Sequence, residues 1–176
     1  MQELILSLAE SLDEARKDML SRLENLTETQ QAFSPDPKSW SPLCIVEHCI
    51  RAERSFLANR PRPGNCNHVP PSFMNRIHQM GIHAILKWRI PVPIQSHAIL
   101  PSGKPNLEDL ASMWGDDMAW LREHIEKTPA KAMNLACFPH PIAGTLTLAQ
   151  ALTLDILHIR YHLPALEIRI MIARKI

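Results

Sequence analysis

Leu4, Leu8, Leu12, Ala15, Met19, Leu23 and Leu26 recur in steps of three and four, separated by Glu3, Glu10, Asp13, Glu14, Lys17 and Glu24. That period follows the 3.6-residue turn. It predicts an amphipathic helix of about 24 residues that runs out before the turn cluster Ser34-Pro35-Asp36-Pro37. A second helix is expected from Ser41-Pro42 to about Asn59, with Ile45, Cys49, Ala52, Phe56 and Leu57 along it. Serine there accepts a bond from a free first-turn amide, and proline suits the first helical position, where its missing donor is not needed.

The third long helix opens at Asn106 and runs to Lys127, with the stripe Leu107, Leu110, Ala111, Trp114, Met118, Leu121 and Ile125. The fourth opens at Thr147, where Gln150 completes a capping box, and continues to about Ala173. Pro164 falls inside it and leaves the Arg160 carbonyl without its usual donor, so a kink is expected just beyond His162. Between the second and third helices, residues 60–105 are rich in proline, yet Ser72 to Trp88 predicts an intermediate helix with Ile77, Met80, Ala84 and Trp88 on one face. Two early helices, a long crossover and two late ones predict an all-α four-helix bundle, a single domain over residues 1–176.

Composition narrows the partners. With 19 Lys and Arg against 18 Asp and Glu, no basic surface is built for polyphosphate, and nucleic acid is not expected. No stretch approaches the roughly 18 to 20 uninterrupted apolar residues of a membrane span. The first seventeen residues carry acids where a secretory leader has a basic stretch and a long apolar run, and Cys44, Cys49, Cys66 and Cys137 form no C-x-x-C pair. A reduced, cytoplasmic setting is the expectation.

The candidate chemistry lies in histidine. His158 and His162 stand one turn apart on one helix face, close enough to share a cation. Nine histidines in 176 residues make that spacing common by chance, so spacing alone equally fits two half-buried histidines bonded to their neighbours. A metal needs a third ligand from a facing helix, and His48 lies among the apolar positions of the second. Asp155, three residues before His158, either orients an imidazole or is an exposed helix acid. Glu47 points roughly 100° away from His48 and is expected in solvent. Cys44, one turn before His48, is expected to be a buried structural cysteine, and Tyr161 to pack in the core or at an interface. His68, His78, His83, His97, His124 and His140 show no ligand spacing among themselves and are read as ordinary polar residues. Arg60, Arg62, Arg76, Lys87 and Arg89 concentrate charge in the crossover, either as a solvated surface or as a carboxylate-binding patch.

Two segments carry a resemblance. Trp40-Ser41-Pro42 opening a helix that contains Glu47-His48 is similar to the second helix of DinB/YfiT-like proteins. His140-Pro141 with Gly144 and Thr147, followed by His158 and His162, resembles the other signature of that family. The resemblance implies a four-helix bundle in which His48, His158 and His162 bind one divalent metal, zinc or nickel. It also implies a homodimer. Where the family often has a polar residue, commonly glutamine, after the last histidine, this chain has Leu163-Pro164-Ala165.

Three protein ligands leave an open position, the arrangement a catalytic metal needs. Activities known among DinB/YfiT-like proteins imply activation of a low-molecular-weight thiol for transfer to an electrophile, making this chain a thiol S-transferase. The alternatives are a non-catalytic, metal-stabilised bundle for binding or dimerisation, and a metal-dependent hydrolase working with bound water.

Overall fold

The computed structural model describes residues 1–57, 69–90, 97–102 and 105–176. Four long helices form the bundle: α1 (Gln2–Glu24), α3 (Pro42–Leu57), α5 (Leu107–Lys127) and α6 (Leu148–Ala173). A short helix α2 (Glu28–Ala32) links the first two, and α4 (Phe73–Lys87) lies in the crossover. Helix α1 packs on α6, α5 and α3, while α3 also packs on α5 and α6. All four therefore share one apolar core, in which Leu12, Met19, Ile50, Leu121, Leu152 and Ile159 are fully or almost fully buried. Each such side chain contributes on the order of 1.5–3 kcal/mol by leaving water.

The helix starts follow their sequence signals. Asn106 accepts from the amide of Asp109, and Thr147 and Gln150 cap α6 reciprocally. Thr27 and Gln30 form a second capping box, which opens α2 where the sequence reading had no helix. Helix α1 accordingly stops at Glu24, and Leu4, placed on its apolar stripe by periodicity, is exposed while Ile5 is buried. Helix α6 runs on through Pro164 as one element.

A two-stranded antiparallel hairpin, β1 (Ala136–His140) and β2 (Gly144–Thr147), adds to the helical bundle and leads into α6. Pro139 and Pro141 make this stretch read as a connection, because proline lacks a ladder donor; as a short two-stranded pair it tolerates them. Gly144 turns the hairpin at φ 72°, a region that favours glycine, and a β-carbon there would run into the Asn75 side chain. Asn75 donates to the Thr145 carbonyl at 3.0 Å, which fastens α4 to the hairpin. The α4 face predicted to be apolar looks outward: Ile77, Met80 and Trp88 are exposed. Among the described residues no helix is long and apolar enough to cross a membrane.

A polar cluster is sealed inside the bundle. Arg16 of α1 forms a two-point ion pair with Glu53 of α3, and Trp114 of α5 donates to the same carboxylate at 3.0 Å. Arg16 and Glu53 are each 2% exposed. Removing one partner of such a pair strands a buried charge, at a cost of about 3–5 kcal/mol.

Candidate metal centre

Helix α3 places His48 on its inner face, where the side chain is buried, and α6 presents His158 and His162 one turn apart toward it. One nitrogen from each of the three rings lies within 4.8 Å of the other two. The Nε2 atoms of His158 and His162 are 3.2 Å apart. Ring centroids stand 5.3 Å apart for His48 and His158, 4.9 Å for His48 and His162, and 4.7 Å for His158 and His162. The three histidines picked out by sequence are thus brought together, as a group able to hold a metal ion.

The donor set fits such an ion. Metal–imidazole bonds of about 2.0–2.1 Å put two ligand nitrogens a little over 3 Å apart, close to the spacing of His158 and His162. Ligand imidazoles must be neutral, and the site makes them so. Burial lowers His48, against the opposing effect of its hydrogen bond to Ile99. Burial also holds His158 well below the usual imidazole range, with repulsion from His162, His48 and His140 adding to it. His162 is pushed down to about 3, by burial first and then by His48.

Orientation comes from neighbouring groups. His48 Nδ1–H donates to the Ile99 carbonyl at 2.9 Å, which fixes its tautomer and leaves Nε2 as the ligand atom. Trp40, just ahead of α3, lies 4.8 Å from the His48 ring, and Tyr161 meets His162 edge-on at 4.9 Å. Tyr161 is therefore packed on a site ring and not in the core.

Glu47 corrects an expectation. It is 4% exposed, not solvated, because residues 97–102 of the crossover return over its side of α3. Its carboxylate accepts from the Ser102 amide at 2.9 Å, the Ser102 hydroxyl at 3.1 Å and Arg51 at 2.8 Å. Asp155 is buried as well, not exposed, and among the described residues no imidazole donates to it. Its electrostatic neighbours are Glu53 and Arg16. Cys44 stands outside the imidazole group. Cys44 is only half-buried, and among the described residues Cys49 is the buried cysteine, its thiol held up by burial and then by Glu53 and Asp155.

His140, read from sequence as an ordinary polar residue, ends β1 beside the site. Its Nδ1 accepts from the amides of Ile142 at 3.2 Å and Ala143 at 3.0 Å. Nδ1 is thereby occupied and the ring proton sits on Nε2, so His140 is a donor near the centre and not a ligand. The Pro141 to Gly144 spacing was the signal for this turn. Of the crossover cations, Arg76, Lys87 and Arg89 are exposed, whereas Arg60 and Arg62 lie outside the described residues, as do Cys66 and His68.

No curated protein and no solved structure matches the chain. The family model of the DinB superfamily matches residues 11–165, a span that includes α3, the hairpin and all three imidazoles. The chain belongs to the DinB superfamily.

Proposed function

We propose that His48, His158 and His162 hold one divalent metal, zinc or nickel, and that the protein is a transferase that activates a low-molecular-weight thiol there. The observation that carries this reading is the composition of the cluster. Three neutral imidazoles converge, and among the described residues no cysteine, aspartate or glutamate joins them as a fourth ligand. Such a centre keeps a coordination position for a substrate, whereas structural sites close with four protein ligands. A metal held there supplies Lewis acidity, which lowers the pKa of a thiol placed at the open position.

The chain's own groups do the rest. His48 is anchored through Ile99, so its ring cannot turn away. Trp40 packs on the His48 ring and Tyr161 meets His162 edge-on, which restricts how those two rings can turn. In the transfer itself the thiol proton passes to solvent, sulfur bonds to the electrophilic carbon, and the leaving group departs with its electron pair.

Metal content of protein loaded with zinc or nickel, followed by thiol-conjugation assays, tests this. About one equivalent is expected in the native chain. His158→Ala and His162→Ala are each expected to lose most of it, because two imidazoles rarely hold such an ion. With glutathione, bacillithiol or mycothiol and an aryl halide, thiol consumption should require the metal. Stoichiometric metal in either variant removes the site. Metal binding without thiol turnover favours the binding or dimerisation bundle, and thiol-independent turnover that rises with pH favours hydrolysis.

A further inference from the structure

His162 is also a wall of an open cavity of about 260 Å³, formed where the turn before α3 meets α6. Its apolar surface comes from Trp40, Ile45 and Ala165, and its charged surface from Lys38 and Arg169. The helix period explains the α6 side: positions 162, 165 and 169 are three and seven residues apart and fall on one face. Ala165 has the smallest side chain that keeps a β-carbon, so this face stays open beside the imidazole.

The other wall is built by a clamped turn. The Ser34 hydroxyl donates to the Asp36 carbonyl at 2.7 Å. The Asp36 carboxylate accepts from the Lys38 amide at 2.9 Å and from the Ser39 hydroxyl at 2.5 Å. These bonds, with Arg169 nearby, hold the Asp36 carboxyl below its ordinary range. Arg169 Nη2 in turn donates to Ser39 Oγ at 3.0 Å, which joins the turn to α6 and steadies the guanidinium. Lys38 and Arg169 both line the cavity and no carboxylate does, although Asp36 offsets part of their charge from behind the turn.

We propose that this cavity is an anion subsite, in which Arg169, assisted by Lys38, binds the carboxylate of the small molecule that reacts at the imidazole cluster. The inference rests on the metal-centre reading above for the position of the reacting atom, but its anion-binding groups, Arg169 and Lys38, stand outside the imidazole cluster. The substrate class that follows is a short carboxylate-bearing thiol or electrophile. Arginine suits the task because its planar fork of donors matches a carboxylate. A cavity of this size takes a small molecule and not a macromolecular partner.

Two thiols of similar length separate the possibilities: 3-mercaptopropionate, which carries a carboxylate, and 2-mercaptoethanol, which carries a hydroxyl. Titrated into cobalt(II)-loaded protein and followed by the visible and near-ultraviolet spectrum, the acid should bind about tenfold more tightly. Arg169→Gln should erase that preference while leaving cobalt content and 2-mercaptoethanol affinity unchanged, and Arg169→Lys should restore part of it. Equal affinity of the two thiols for the native chain overturns the subsite, as does an Arg169→Gln variant weakened equally toward both.

The metal-free protein gives a readout independent of the ion. The Trp40 indole N–H resonance, assigned with Trp40→Phe, should shift with 3-mercaptopropionate and not with 2-mercaptoethanol, and the shift should vanish in Arg169→Gln. A protein that takes up no cobalt but keeps this carboxylate-specific shift sinks the metal centre and retains the subsite. A protein that takes up cobalt but shows neither the shift nor the preference sinks the subsite alone.

Discussion

Asp155 sits one turn before His158 on α6, 3% exposed, and its Oδ2 has no hydrogen-bond partner among the described residues. Burial, with the Glu53 carboxylate adding to it and Arg16 opposing, holds its carboxyl well above the usual carboxylate range. The folded chain therefore keeps a proton that the unfolded chain releases near pH 3.9. Where the folded state binds more protons, stability falls as pH rises, so the loss begins near pH 4 and continues up to the folded-state value. Asp155→Asn presents a neutral side chain of the same shape at every pH and escapes that loss. Its stability relative to the native chain should be lowest near pH 4 and should rise to a gain on the order of 1–3 kcal/mol at neutral pH. Urea titrations at pH 4, 5.5 and 7 check this. A variant uniformly less stable at all three would make Asp155 a charged partner of Arg16 instead.

At the level of elements, the crossover is tied to α3 by consecutive residues: His48 holds Ile99, and Glu47 holds Ser102. Successive residues on a helix point roughly 100° apart, so the two bonds grip the strap from different sides. Glu47→Ala removes the acceptor for the Ser102 amide and hydroxyl and leaves Arg51 without its partner. The expected cost is about 1–3 kcal/mol. Amide exchange at Ser102 should speed up while the α6 interior keeps its protection, and unchanged exchange at Ser102 would mean that other contacts hold the strap. The same pair shows what the sequence could and could not carry. His48 was legible because helix periodicity put it among the apolar positions of its own helix, and the resemblance to DinB/YfiT-like proteins supplied its grouping with His158 and His162. Glu47 was not, because periodicity describes a helix's own faces and says nothing of a proline-rich segment returning fifty residues later. Arg16 was missed for the same reason: its partner Glu53 lies on another helix. The hairpin is hidden by its two prolines, whereas the α2 capping box at Thr27 and Gln30 is legible in the sequence itself.

For the whole molecule, the question is whether the metal holds the bundle together or merely sits in it. The imidazoles join α3 to α6 only. The buried Arg16, Glu53 and Trp114 cluster joins α1, α3 and α5, and the apolar core spans all four long helices. These contacts use no ligand nitrogen, so the metal-free chain should fold. Ligand that binds only the native state adds RT ln(1 + [L]/Kd), about 2.7 kcal/mol at a hundredfold excess over Kd. At roughly 2–4 °C per kcal/mol for a chain of this size, zinc should raise the melting temperature by roughly 5–10 °C. Chelation should reverse that shift and leave the far-ultraviolet helical signal at 25 °C unchanged. His48→Ala should melt near the metal-free value with or without zinc. Loss of helicity on chelation would be the behaviour of a structural ion, which is folding free energy in its own right. In that event the bundle would depend on the imidazoles for its assembly, and the open coordination position would lose its meaning as a place for substrate.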